Sequence, residues 1–445
     1  MPPDLVRPLE ATWQEVIDAV LERRRAPSTR EPAKLAPKLV ELSHAYNTGL
    51  AGDAAADGAR VKVPLDARIA FSFARDVPKG AGAVRELLEA GVLPATRERT
   101  LRIVDLGAGL GAMSWGIARA LGAQHKLEKV PASASGEPAP PLRIEALLVD
   151  DDAEALGAAE AIAREAATRG IPEAASLSLR TRTERLAVGM KLPEADVVVL
   201  GQVLSELDVA MEPAERIAKH AALVADLLAR VVAPDGALVI VEPALRGRTR
   251  HLHAVRDVLV EGGTTVFAPC LHAERCPVLL TEGDWCHEDL PVDLPAWLVP
   301  LARAAGLRFQ RLTFSYLVLR RDAQRLVGQL DHAAGAPRVH LRVISELMRT
   351  KGKAEVFGCT SEAARLRLRR LDRDAVDEGP GAETSATWAA IGRGDVLTVR
   401  GGAGEDANDA NDAKSEQSEK GETSAIDGRG RIAKTAQIDV WPMRK

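Results

Sequence analysis

Cysteine is scarce in this chain: there are four among 445 residues. No apolar h-region opens it, since the first residues read MPPDLVRPLE, so a secreted, disulfide-built scaffold is not expected. No stretch reaches the uninterrupted apolar length of a membrane span. Charge of one sign is also missing overall, with a formal net charge of −4, and no internal repeat is present. These absences lead to the expectation of a soluble cytoplasmic protein, monomeric when free, with no membrane contact. At this length it can bury a large core and hold more than one domain.

The little cysteine there is sits unevenly. Cys270, Cys276 and Cys286 fall within TVFAPCLHAERCPVLLTEGDWCH, spaced by five and then nine residues, and Cys359 follows in EVFGCTSE. Such clustering points to a gripped ion. Zinc accepts four thiolates but usually from paired C-x₂₋₄-C knuckles, whereas iron–sulfur clusters tolerate irregular spacing and one distant ligand. Small buried hydrophobes or a disulfide pair are the blander readings. Attack of Cys270 or Cys276 on a pyrimidine carbon is a further one, although thiolates committed to a metal are unavailable for attack. Charge is uneven too: Leu301–Arg373 holds 16 Lys and Arg against 6 Asp and Glu, a local excess of ten positive charges. An anionic partner or a solvated Arg-rich surface accounts for it.

Along the chain, residues 1–96 carry apolar residues at three- and four-residue intervals, as in WQEVIDAVLERRR and PKLVELSHAYNTGL, and predict a helical lead-in. Residues 97–325 alternate short apolar strands with helical stretches. LRIVDLG, EALLVDD, ADVVVLG, ALVIVEP and the pair LRFQRLT and SYLVLRR are the expected strands, with the cysteine-rich insertion 265–290 inside. That alternation predicts an α/β, Rossmann-like doubly wound sheet. Residues 326–400, with VHLRVISELM and RLRLRRL, predict a small strand-containing module that brings Cys359 back toward the other cysteines. Residues 401–445 are expected to be disordered, with RIAKTAQIDVW a weak contact motif.

The first strand runs into Asp105-Leu-Gly107-Ala-Gly109-Leu-Gly111 and then the helical AMSWGIARALG. Glycines there let the backbone pass beneath a ligand and aim helix N-terminal amides at it. The spacing D-x-G-x-G-x-G is not the dinucleotide fingerprint. It resembles motif I of the class I S-adenosylmethionine-dependent methyltransferases, which implies that the loop holds the methionine end of the cofactor. The resemblance also implies that an acid ending the second strand binds the ribose, here Asp150 in preference to Asp151. The fourth strand ends VVVLGQVLSELD, without the Asn/Asp-Pro-Pro-aromatic motif of amino-group methyltransferases. Gln202, Ser205 and Glu206 are its polar candidates, and no catalytic base is assigned.

VDLGAGLGAMSW, VLSEL, IVEPALRG, APCLHAERCP, DWCH and FSYLVLRR together resemble the methyltransferase-like proteins of the mitochondrial small ribosomal subunit and their bacterial relatives, over roughly residues 60–400. The resemblance implies a class I methyltransferase fold and a [4Fe–4S] cluster on Cys270, Cys276, Cys286 and Cys359. It also implies a cofactor site at Asp105, Gly107, Gly109 and Gly111, and association with small-subunit rRNA. Three readings follow: an rRNA methyltransferase, a non-catalytic RNA-binding assembly factor with a structural cluster, and a methyltransferase with a non-ribosomal substrate.

Overall fold

The structure, a computed structural model, describes residues 5–47, 63–93, 99–127, 142–330, 338–375, 382–401 and 425–441. The Pro/Ser/Ala-rich loop KVPASASGEPAPP lies outside them, as does the polar stretch 402–424. The chain divides into two compact units, residues 1–268 with 278–324, and residues 269–277 with 325–445.

In the larger unit, α1 (Thr12–Arg23) and α2 (Pro32–Asn47) are followed by α3 (Leu65–Ala67), a π-helical turn Arg68–Ser72 and α4 (Phe73–Glu89). The periodicity of the lead-in is thus real, but these helices belong to the same unit as the sheet rather than to a region of their own. α4 is buried along nearly its whole length. It packs on α5 (Ala112–Leu127) so closely that a Cβ on Gly116 would stand 2.0 Å from the Val77 carbonyl oxygen, and one on Gly80 2.5 Å from that of Met113. Only glycine permits that approach.

The sheet comprises β1 (Leu101–Leu106), β2 (Ile144–Asp150), β3 (Leu177–Thr183), β4 (Ala195–Gly201), β5 (Val232–Glu242), β6 (Thr265–Ala268), β7 (Glu288–Leu290) and β8 (Leu312–Arg320). Its order is β3-β2-β1-β4-β5-β8-β6, with β7 also on β8. β1 to β5 are parallel, and β8 runs antiparallel to β5, β6 and β7. The central strands are continuous apolar runs because both faces are covered. In β4, Ala195 to Leu200 are all buried. Helices α6 (Ala153–Thr168), α7 (Pro213–Arg230), α8 (Arg246–Glu261) and the short α9 (Val299–Ala304) complete the unit. This is the expected doubly wound α/β architecture. No described helix is long and apolar enough to cross a membrane.

The strand order reverses between β1 and β4, the place where such sheets open a crevice beyond the strand ends. In the smaller unit, β9 (Arg338–Val343), β10 (Met348–Thr350), β11 (Lys353–Thr360), β12 (Arg365–Leu371), β13 (Val396–Arg400) and β14 (Gln437–Trp441) form one antiparallel sheet, with α10 (Ala382–Ala390) between β12 and β13 in sequence. Leu341, Val356, Leu368, Leu397 and Ile438 are among the residues of its core. RIAKTAQIDVW, expected within a disordered tail, contributes β14, which pairs with β13 along its whole length. Alternation of Ile438 and Val440 with polar residues is enough to place a strand on an existing edge.

Candidate functional site

β1 delivers Asp105 and the glycine turn to the crevice, and β4 delivers Gln202. Gly107, Gly109 and Gly111 have φ of 64°, 52° and 75°, in the left-handed region that glycine adopts without strain. A Cβ on Gly109 would lie 2.7 Å from Arg68 Nη2 and one on Gly107 2.5 Å from Val203 Cγ2. The turn ends in the N-terminus of α5. The crevice it bounds is a cavity of about 890 Å³, and Asp105, Gly107, Gly109, Asp150 and Gln202 all line it. Gly111 does not; it sits behind, where a side chain would meet Leu148 Cδ1 at 3.0 Å.

Each polar candidate has a defined environment. The Asp105 carboxylate is buried, and its Oδ2 accepts hydrogen bonds from Ser114 Oγ at 2.8 Å and Ser114 N at 3.3 Å. Its Oδ1 has no hydrogen-bond partner among the described residues. Burial, more than the nearby Asp150, pushes this carboxyl up to about 7. Asp150 accepts from the Gly109 N–H through Oδ2 at 2.8 Å and from the Asp152 N–H through Oδ1 at 2.9 Å. It therefore clamps the glycine turn to the end of β2, a structural role that its position in the sequence did not announce. Gln202 has a φ of 63°, unusual for a residue with a side chain, and its Nε2 donates to Asp76 Oδ2 at 2.9 Å.

The N-terminal helices supply site residues that sequence reasoning missed. Asp76 of α4 is buried between Lys79 Nζ at 2.8 Å and Arg75 Nε at 2.9 Å. Although burial opposes its charge, those cations hold its carboxyl well below the usual range. Arg68, in the π-helical turn, donates to Asp152 Oδ2 at 2.8 Å and lies across the glycine turn. On the far wall, Glu206, Asp208 and His220 line the cavity, and Ser205 is buried outside it. His220 Nδ1 and His251 Nε2 share one hydrogen bond at 2.8 Å. Burial pushes both imidazoles down to about 4, which keeps the pair neutral at neutral pH. Behind them Glu242, at the end of β5, is pushed up to about 7 by burial and accepts from the Leu204 N–H at 2.9 Å.

The cysteines divide between the units. Cys270 and Cys276 lie in the 269–277 segment of the smaller unit, and Cys359 lies on β11 of the same unit. There Arg342 Nε donates to the Pro269 carbonyl at 2.5 Å, and Arg342 is also the register partner of Cys359. Cys286 belongs to the larger unit, where its carbonyl lies 3.1 Å from His253 Nε2. Among the described residues no group of three or more His, Cys, Asp or Glu side chains stands together as a metal site. The expectation of an iron–sulfur site on the four thiols is thus without support among the described residues. The three that share a unit, Cys270, Cys276 and Cys359, are not the three that cluster in sequence.

Among known proteins, the family described as mitochondrial small ribosomal subunit Rsm22 matches residues 144–371. No curated protein matches significantly. Similar solved structures include an S-adenosylmethionine-dependent methyltransferase from Agrobacterium tumefaciens, 15% identical over 53% of this chain and 60% of that one, with a TM-score of 0.29. Another is a type I restriction-modification methyltransferase subunit from Streptococcus thermophilus, 11% identical over 68% and 55% of the two chains, with a TM-score of 0.30. The glycopeptide N-methyltransferase MtfA complexed with sinefungin is 14% identical over 56% and 72%, with a TM-score of 0.25. The chain thus spans less than two thirds of the length of the first two.

Proposed function

Because the family match spans just over half of the 445 residues, the chain belongs to the mitochondrial small ribosomal subunit Rsm22 family, and from that premise we propose that it is a cytoplasmic, S-adenosylmethionine-binding protein of methyltransferase fold that acts on the small ribosomal subunit through its rRNA. The observation that carries the cofactor is the Asp105 Oδ1, without a hydrogen-bond partner among the described residues, in the wall of a glycine-lined crevice. A buried acceptor in that state fits a ligand bringing a cationic donor, as the methionine end does. When bound, the cofactor supplies an electrophilic methyl on a sulfonium. Asp105 would hold its ammonium. The glycine turn would pass beneath it, and Asp150, at the end of β2, would take the ribose hydroxyls, two donors that suit the two oxygens of a carboxylate.

Isothermal titration with S-adenosylmethionine and S-adenosylhomocysteine tests this. Heat of binding is expected in the micromolar to millimolar range. Gly109→Val should abolish it, because valine at φ 52° is strained and its Cβ meets Arg68. A silent wild type would sink the cofactor reading. One observation favours a non-catalytic assembly factor as the second reading: Gln202 Nε2 is already engaged by Asp76 rather than turned to an acceptor. Methylation of small-subunit rRNA by the purified protein decides between the two.

We also propose that Cys270, Cys276, Cys286 and Cys359 ligate a [4Fe–4S] cluster. Support comes from the donor set: these are the only four cysteines of the chain, and three share one unit. Their chemistry fits a thiolate-bound centre. Anaerobic purification should give about four irons and matching acid-labile sulfide per chain. One zinc per chain without sulfide overturns the cluster in favour of the alternative metal.

A further inference from the structure

The smaller unit has a pairing scheme of its own. β11 carries β12 along one edge and, along the other, β10 followed by β9. β9 continues into β13, and β13 into β14. A parallel bridge between Arg369 and Arg431 then joins β12 to the segment leading into β14, so the sheet curls back toward its own edge. Counting β9 with β10 as one bent strand, this is a five-stranded, partly open barrel with the helix α10 between the third and fourth strands, the arrangement of an OB-fold. In that fold the face of the second and third strands is where oligonucleotides lie; here those strands are β11 and β12.

That face has the composition nucleic acid requires. Strand alternation sends Val356 and Leu368 into the core and leaves Phe357 and Arg367 opposed on the outer side, with Cys359 and Arg365 as the next pair on that side. The Phe357 ring is half-buried. The guanidinium carbons of Arg365 and Arg367 stand 5.7 Å and 5.9 Å from its centroid. Glu355, buried on the same side two residues before Phe357, holds Lys353 and Arg367 at 2.9 Å each, so one carboxylate orders two cations and the strip keeps a positive excess. Both guanidinium groups lie over the ring in cation–π contact, so a base that stacks on Phe357 takes the place of one of them as it swings out to a neighbouring phosphate. A duplex buries its base faces and would gain only the charge.

We propose that the β11–β12 face binds single-stranded RNA, with one base stacked on Phe357 and the adjoining phosphates on Arg365 and Arg367. The choice of RNA over DNA rests on the ribosomal reading above; the stacking face rests on the barrel alone. Fluorescence anisotropy of the full-length protein with a labelled single-stranded oligoribonucleotide of about twelve nucleotides, matched to OB-fold site sizes, is the direct test. The single strand should bind more tightly than its duplex. Phe357→Ala should weaken it by about tenfold or more with an unchanged salt slope, and Phe357→Trp should restore it. Arg365→Ala and Arg367→Ala should each lower the slope of log affinity against log salt by roughly 0.7. Circular dichroism of each variant establishes that the barrel stays folded. A wild type that ignores the single strand, a duplex bound as well as the strand, or a folded Phe357→Ala protein with wild-type affinity overturns the proposal. Co-sedimentation with small ribosomal subunits separates the two readings. Wild-type co-sedimentation together with unaltered Phe357→Ala binding condemns the stacking face alone, and single-strand binding without co-sedimentation condemns the ribosomal reading alone.

Discussion

Asp105 carries the sharpest expectation at the scale of one residue. Its carboxyl is pushed up to about 7 from 3.8, so between those values the folded chain holds a proton that the unfolded chain has lost. Stability contributed by the protonated form is complete below pH 3.8 and is lost as pH rises through 7, at roughly 1.4 kcal/mol for each pH step between the two values. Asp105→Asn removes that dependence. The difference in unfolding free energy between variant and wild type, from urea melts across this range, should move in the variant's favour as pH rises. A difference flat with pH would show that Asp105 is not the titrating group. At this scale the site was only partly legible. The glycines announced themselves because positive φ restricts the residue type, and Asp105 because it precedes them. The clamp role of Asp150 and the tie between Gln202 and Asp76 were not legible, since hydrogen bonds between residues 126 positions apart exist only after folding.

At the scale of elements, apolar patterning identified β1, β2, β4, β5 and β8 because a strand covered on both faces must be apolar throughout. β3, LSLRTRT, escaped because it is an edge strand that buries little more than Leu177. LRFQRLT was expected as a strand of its own. In the structure regular pairing begins at Leu312, and Phe309 uses its carbonyl to accept from the Leu294 N–H at 2.9 Å. Pro78 and Gly80 look like helix punctuation in sequence, yet α4 runs through both. The glycine there serves the contact with α5 rather than a break. Tertiary packing overrides local propensity where an element is buried along its length. The barrel was legible only as scattered strands, because its closing partner lies some sixty residues from β12, beyond a polar stretch that resembles a tail.

For the whole molecule, two compact units in one chain predict two unfolding events, and the two proposed ligands fall on different units. The glycine-lined cavity lies entirely within the unit of residues 1–268 and 278–324. The cationic β11–β12 strip lies within the other. A ligand that binds only the native form of one unit stabilises that unit by mass action, about 2.7 kcal/mol at a hundredfold excess over its dissociation constant. Scanning calorimetry of the full chain should therefore resolve two transitions. S-adenosylmethionine should raise the larger one by about 5 °C and leave the smaller in place, given the size dependence of unfolding entropy. Single-stranded RNA should act on the smaller transition alone. One transition displaced by either ligand would mean that the units unfold together. Movement of the smaller transition by S-adenosylmethionine alone would put the cofactor in the barrel and remove the glycine turn from consideration.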